Sequence, residues 1–276
     1  MNNTELRKLH NALLYIMDEI DRICELNHIN YTLTGGSLIG AIRHKGFIPW
    51  DDDMDVAMLR ADYDIFVNIC KTQLDERFIW QDIHTDLDYP YGFGKLTLKE
   101  TQYISKGHEN EKWQKGIYID VFPLDNVPDN QFSQRLFAFK NLFYIKLLEC
   151  KTGFDIDSKS LLKKIAFFVL FIISKLLTFD YLRQKMEKNM VRYKNKNMNL
   201  ICNLGGFYGF YKELTFRSYF EETMRAKFED RKYRIIRDYD IFLRSVYGDY
   251  MSMPPVERRH THEFVQLDYG KYDELF

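Results

Sequence analysis

Residues 31–58 read YTLTGGSLIGAIRHKGFIPWDDDMDVAM, and the fold is decided at the two ends of this stretch. At its start Ile29, Tyr31 and Leu33 alternate with polar residues and run into Gly35-Gly36, which predicts a strand, a tight glycine turn and a short helix from Ser37 to about Arg43. A strand feeding a helix start presents backbone N–H groups to a phosphate, and glycine with a serine hydroxyl lets that phosphate approach, so Gly36 and Ser37 are candidate substrate contacts. At its end Asp51, Asp52, Asp53 and Asp55 lead into Val56, Ala57 and Met58, which predict a second strand. Side chains alternate faces along a strand, so Asp53 and Asp55 point one way while Met54 and Val56 enter the core. Two like charges on one edge repel, and a hard cation such as Mg²⁺ removes that cost. A solvated acidic turn is the alternative for a bare Asp-x-Asp. Four aspartates in five positions, running straight into an apolar strand, favour the cation.

Moving outward, Asp120 sits within Ile117-Tyr118-Ile119-Asp120-Val121-Phe122, where an unpaired carboxylate would be expensive. It needs a metal, a raised pKa or a buried Lys or Arg. If its strand lies beside that of Asp53 and Asp55, three carboxylates converge on a metal site able to clamp a pyrophosphate. Upstream, Leu6, Leu9, Leu13, Ile16, Met17, Ile20 and Ile23 carry the spacing of a buried helix face over 4–27, with Thr4 as the expected cap. Residues 61–73 repeat helical spacing, and strands are expected at 78–81, 93–98, 102–104 and 116–122. Pro123 and the Asp and Pro residues up to 130 are expected to mark a change of element, with a mostly helical pattern from 131 onward. The mixture indicates an α/β or α+β fold.

The chain has 276 residues, of which 46% are hydrophobic and 29% charged, enough to bury one large domain or two small ones and incompatible with disorder. Its net charge of −1 conceals a division: residues 1–130 hold 13 Lys and Arg against 22 Asp and Glu, and the rest holds 26 against 18. Residues 159–196 carry ten basic residues, Lys159, Lys163, Lys164 and Lys175 among them, against Asp180 and Glu187 alone. A segment so basic seeks an anionic surface. The apolar run from Ile165 to Ile173 is too short to span a bilayer, so this segment is read as a helix lying in the membrane interface or as a buried helix with a basic edge. The four cysteines form no Cys-x-x-Cys pair, and the polar MNNTELRK start predicts no secretory signal. The expected location is cytoplasmic, peripheral at the inner face of the membrane. No P-loop occurs, and Gly35-Gly36-Ser37-Leu38-Ile39-Gly40 lacks the dinucleotide-binding spacing.

The order Gly-Gly-Ser, Asp-x-Asp on a strand and a lone Asp on a later strand resembles the nucleotidyltransferase superfamily. More narrowly, LTGGSLIGAIRHKGFIPWDDDMDVAM, GIYIDVFPLD and YGDYMSMPPVERRHTH resemble the LicD phosphotransferases, relatives of the fukutin proteins. The resemblance covers about residues 31–262 and implies a nucleotidyltransferase-like mixed sheet flanked by helices in residues 1–130. A helical, basic region at 131–200 and a part at 201–276 that closes the site would follow. It implies transfer of a phospho-alcohol, typically phosphocholine from CDP-choline, to a hydroxyl of a glycan or lipid-linked glycan such as a teichoic acid precursor. Asp53, Asp55 and Asp120 take the metal-ligand roles, for one or two Mg²⁺ with Mn²⁺ as an alternative, and one of them or a neighbouring Asp accepts the hydroxyl proton. Arg43, His44, Lys45 and Lys95 are candidate phosphate contacts, each with a solvated surface cation as the alternative, and Arg259 and His262 match the family's closing motif. For a choline headgroup Trp50, Tyr89, Tyr91, Trp113 and Tyr118 lie near the motifs, with core packing as the default for each. His260-x-His262 has no cysteine or carboxylate in zinc-ligand spacing. No nucleic-acid partner is expected. The rivals are an Asp-x-Asp glycosyltransferase, a true nucleotidyltransferase and a membrane adaptor with a degenerate site.

Overall fold

The acid-bearing stretch forms the middle of a mixed sheet in the computed structural model, which describes residues 2–109, 112, 113, 115–152, 161–206, 208–259 and 261–276. Lys159 and His260 lie outside the described residues, as does the side chain of Lys163. Helix α1 (Asn3–Leu26) is capped by Asn2, two residues before the expected cap. Asn2 accepts from the Glu5 backbone N–H at 2.9 Å while Glu5 accepts from the Asn2 N–H at 3.0 Å, a reciprocal box that Thr4 cannot make. The apolar face of α1 is buried in the main core with Leu9, Leu13, Ile16, Met17, Ile20 and Ile23.

After α1 come β1 (Thr32–Leu33), α2 (Gly35–Ile39), a wider π-type turn over Gly40–His44, β2 (Asp55–Leu59) and α3 (Arg60–Gln73). The expected glycine turn is itself the first turn of the helix: Gly35 has φ +57°, a conformation open to glycine, and α2 begins there rather than at Ser37. Next follow β3 (Phe78–Gln81), β4 (Gly94–Leu98), β5 (Gln102–Ser105) and β6 (Tyr118–Val127). The sheet order is β1-β2-β6-β4-β3, with β2 parallel to β6 and the other pairs in that order antiparallel.

The strand expected to end at 122 runs on past Pro123, and the change of element falls at residues 128–130, within the expected window. Strand β6 continues to Val127, because β4 stops pairing at Val121 and β7 (Leu200–Asn203) starts pairing at Leu124. Pro123 falls between those two partners, where a missing N–H costs no ladder bond on that edge. Helices α4 (Gln131–Thr152), α5 (Leu161–Leu176) and α6 (Phe179–Met190) intervene before β7. Their second core contains Phe137, Leu147, Leu148, Leu182, Met186 and Met190, with Val127 and Cys202 from the sheet.

The expectation of a mostly helical remainder fails beyond residue 200. There α7 (Phe210–Glu213), β8 (Leu214–Phe216), β9 (Thr223–Phe228), β10 (Arg231–Ile236), α8 (Tyr239–Tyr247) and β11 (Phe264–Asp268) follow. β8 pairs with β7, β9 with β10 as a hairpin, and β11 with β5. Short strands with charged, half-exposed faces, such as Thr223–Phe228, give little apolar alternation to read. All four cysteines are buried and unpaired.

Candidate active site

Parallel pairing of β2 with β6 sets Asp55 opposite Asp120, and antiparallel pairing of β6 with β4 sets Asp120 opposite Lys95. Directly opposed residues share a face, so Asp55, Asp120 and Lys95 form one row across three neighbouring strands. The turn that precedes them is fastened to this row. The Asp55 N–H donates to Ser37 Oγ at 2.9 Å, and the Thr34 N–H donates to the Asp55 carbonyl at 3.1 Å. A Cβ at Gly35 would lie 3.0 Å from Asp55 Oδ2, and one at Gly36 only 2.5 Å from Asp51 Oδ2. The two glycines therefore leave room for carboxylates that any larger residue would displace.

Burial raises the pKa of each of Asp51, Asp53, Asp55 and Asp120 above the ordinary carboxylate value. The neighbouring carboxylates push Asp51 and Asp55 further up, whereas His262 pulls Asp53 down and Lys95 pulls Asp120 down. Lys95 Nζ lies 2.8 Å from Asp120 Oδ1 but off the hydrogen-bonding direction, so this buried oxygen faces a charge without a directed donor. The same ammonium sits 3.3 Å from the centre of the Tyr118 ring. Thus the buried-lysine alternative for Asp120 is realised, and it leaves the carboxylates still short of positive charge.

The donor set suits a hard cation: oxygen ligands only, desolvated, with an orphaned oxygen on Asp120. Among the described residues no group of three or more His, Cys, Asp and Glu is placed to hold a metal ion. The fit therefore rests on donor chemistry and burial. Asp53, Asp55 and Asp120 are the residues that would hold the ion.

Asp52 turns away from this row and is buried. It accepts from the His262 backbone N–H at 3.1 Å, lies 2.9 Å from His262 Nδ1, and accepts from the Tyr103 hydroxyl at 2.9 Å. The hydrogen bond to Asp52 raises His262 to about 9, so the ring is cationic at neutral pH and stands 3.8 Å from Asp53 Oδ2. His10 of α1 holds the other end of the motif: its Nε2 is 2.7 Å from the Asp51 carbonyl, and its ring stacks on Phe47 with centroids 3.9 Å apart. The reading of the sequence missed Asp52, Tyr103 and His10, since nothing local distinguishes Asp52 from its neighbours and the partners are distant in the chain.

A cavity of about 1030 Å³ is lined by Asp53, Asp120, Lys95 and His262, whereas Asp55, Gly36 and Ser37 are not among its lining residues. Tyr91, Trp113 and Tyr118 line it too, with Tyr91 and Trp113 edge to face at 5.6 Å. Tyr89 is buried beneath them, and Trp50 lies outside the lining, under the Arg259 guanidinium at 4.7 Å. Arg43 and Arg259 also stand apart from it. Arg43 donates to the Tyr250 and Ser252 carbonyls at 2.6 and 3.2 Å, and Arg259 donates to the Pro254 carbonyl at 3.0 Å. His44 accepts from Arg43 Nε at 2.9 Å, and Lys45 takes the left-handed φ that ends the π-type turn.

A mixed sheet with a glycine turn pressed on Asp-x-Asp, and a third Asp on the parallel neighbour, defines a transferase site of the nucleotidyltransferase type. The profile of the LicD/FKTN/FKRP nucleotidyltransferase domain matches residues 28–147. Lipopolysaccharide cholinephosphotransferase LicD of Haemophilus influenzae is 31% identical over 270 residues, which is 95% of this chain and 97% of that protein. Ribitol 5-phosphate transferase FKRP of Homo sapiens is 34% identical over 85 residues, 28% of this chain and 16% of that protein. The chain belongs to the LicD family and is a phosphotransferase of the LicD type.

Proposed function

We propose that this protein transfers a phosphorylated alcohol, phosphocholine foremost, from a CDP-activated donor to a hydroxyl of a cell-surface glycan or its lipid-linked precursor. It would work at the cytoplasmic face of the membrane. One observation carries the reading: Asp120 and Lys95 of the row, together with Asp53, His262 and aromatic side chains, line one cavity, and Asp55 stands opposite Asp120 on the neighbouring strand. Bound by Asp53, Asp55 and Asp120, Mg²⁺ would supply Lewis-acid neutralisation of the pyrophosphate oxygens.

The protein's own groups do the rest. Gly35 and Gly36 let the turn close on the Asp55 and Asp51 carboxylates, and the charged side chains of Lys95 and His262 bind and orient the donor phosphates. The acceptor oxygen forms a bond to the phosphorus of the alcohol phosphate as its bond to the CMP oxygen breaks. The hydroxyl proton passes to a neighbouring carboxylate that does not hold the ion. CMP leaves with the electron pair. Tyr91, Trp113 and Tyr118 offer faces to a quaternary ammonium, the group that separates choline from ribitol or glycerol donors.

The test is nucleotide release by the purified protein with Mg²⁺, screening CDP-choline, CDP-ribitol and CDP-glycerol against a lipid-linked glycan extract. CMP release with alcohol phosphate appearing on the glycan, abolished by EDTA, supports the proposal. CDP or UDP release from a sugar nucleotide would overturn it in favour of glycosyl transfer, and pyrophosphate release from a triphosphate in favour of nucleotidyl transfer.

A further inference from the structure

Helix α5 has the sequence LLKKIAFFVLFIISKL, without an acidic residue. Ile165, Phe168, Val169, Ile172 and Leu176 fall at i, i+3, i+4, i+7 and i+11, the stripe that a helix ordinarily buries, yet all five are exposed, Leu176 at 80%. The opposite side, with Leu170 and Ile173, packs on the second core. Helix α4 adds an exposed stripe of its own at Phe132, Leu136, Phe139 and Leu142. Single exposed apolar residues need no explanation, but two adjoining helices with outward apolar stripes do.

The charge beside the stripe identifies what covers it. Lys164 and Lys175 bracket the α5 stripe, and among the described residues neither forms an ion pair; Lys175 lies over the Phe171 ring at 4.8 Å. Lysines at the margins of an apolar face fit anionic headgroups with acyl chains beneath, and do not fit a second copy of the same cationic face. At 16 residues α5 is about 24 Å long, short of the roughly 30 Å hydrocarbon layer. No single described helix is long and apolar enough to cross a membrane, and α5 and α6 meet at a bend of 109°. By length and composition alone the bent α5–α6 pair together passes for a broken span, and α5 by itself is suited to lie along a lipid surface.

The cavity gives this surface a purpose. Its far end is lined by Arg135, Phe139, Leu142, Ile145 and Lys146 of α4, so the outward stripe and the cavity share Phe139 and Leu142. Asn141, between them and buried, also lines the cavity, and its amide donates to the Leu204 carbonyl. We infer that the α4–α5 face seats the protein on an anionic lipid surface, and that the cavity opens sideways onto that surface. The acceptor would enter from the bilayer with its lipid anchor left among Phe139 and Leu142. The acceptor route rests on reading the cavity as the transfer site; the docking face does not.

The experiment is flotation of the full-length protein with vesicles of phosphatidylcholine alone or with one quarter phosphatidylglycerol. Beside it run Phe168→Glu/Ile172→Glu and, for orientation, Phe139→Trp with brominated acyl chains as quencher. The expected result is flotation on anionic vesicles, at least tenfold weaker in the double variant with unchanged circular dichroism, and quenching in Phe139→Trp beyond that of the three native tryptophans in the wild type. No flotation, or equal flotation of wild type and double variant, overturns the docking face, as does a dimer in solution that the double variant dissociates. Flotation without that added quenching overturns the sideways opening. Flotation with no turnover of any CDP donor leaves this inference standing and defeats the proposed function instead.

Discussion

Replacing Arg60 with Met tests how the two acid-bearing strands are held in register. Arg60 opens α3 directly after β2, and Asp125 lies on β6 five positions beyond Asp120, so their contact clamps the strands that carry Asp55 and Asp120. The guanidinium is bidentate, Nε to Oδ1 and Nη2 to Oδ2, both at 2.7 Å. The side chains are 10% and 1% exposed, so water does not screen the pair. Burial pushes Asp125 up more strongly than Arg60 pulls it down, while Arg60 itself is raised; with both limbs at 2.7 Å the pair is read as ionised. Removing one partner of such a pair costs about 3–5 kcal/mol. That is a large share of a total stability of about 5–15 kcal/mol. With a urea slope near ~3 kcal/mol/M, the midpoint falls by about 1–1.7 M. The stranded Asp125 then has a folded pKa above its unfolded one, so the native state binds the extra proton and stability falls as pH rises through the folded value. The penalty therefore shrinks on acidification below that folded value. Urea melts of Arg60→Met and of Arg60→Met/Asp125→Leu at pH 5 and pH 7 decide the matter. A loss below about 1 kcal/mol in the single variant, or a double variant no more stable than the single, would refute the clamp.

Three further outcomes follow from the site. Burial lowers the pKa of His10, so the unfolded chain takes up its proton first and stability drops as pH falls through about 6.5; urea melts from pH 7.5 to 5 should lose that slope in His10→Phe, and a flat wild-type profile would contradict it. In Asp52→Asn, the imidazole of His262 should titrate well below its present value of about 9 by NMR, and an unmoved titration would remove Asp52 as the source. A Cβ at Gly36 displaces the Asp51 carboxylate, so Gly36→Ala should cost about 10²-fold in kcat/KM with little change in Tm; unaltered kinetics would show that the turn has slack.

The centre of the fold was legible because its signals are local. Asp55-Val56-Ala57-Met58 and Tyr118–Phe122 are short apolar runs, and the carboxylates on them could be placed on strands before their neighbours were known. What a sequence does not carry is pairing. That β2 runs parallel beside β6 decides whether Asp55 and Asp120 meet, and this depends on crossovers through α3 and the strands between. Pro123 misled because a proline is tolerated where a strand changes partners, a tertiary circumstance. Strands beyond 200 were hidden by their length and charge, and Asp52 by having partners 51 and 210 residues away. The outward stripe of α5 was visible as periodicity, but only the folded chain distinguishes a stripe facing the core from one facing away.

The central claim is that Asp55 and Asp120 act in moving a substituted phosphate, not a sugar and not a nucleotide. The most direct measurement follows CDP-choline labelled with ³²P at the phosphate next to choline, with the wild type, Asp55→Asn and Asp120→Asn, each checked for folding by circular dichroism. The account predicts label on the glycan, unlabelled CMP in solution, and a loss of at least about 10³-fold in both variants, on the scale of one essential electrostatic contact. Label left in solution as CDP with nothing on the glycan, or full transfer by either variant, would contradict it.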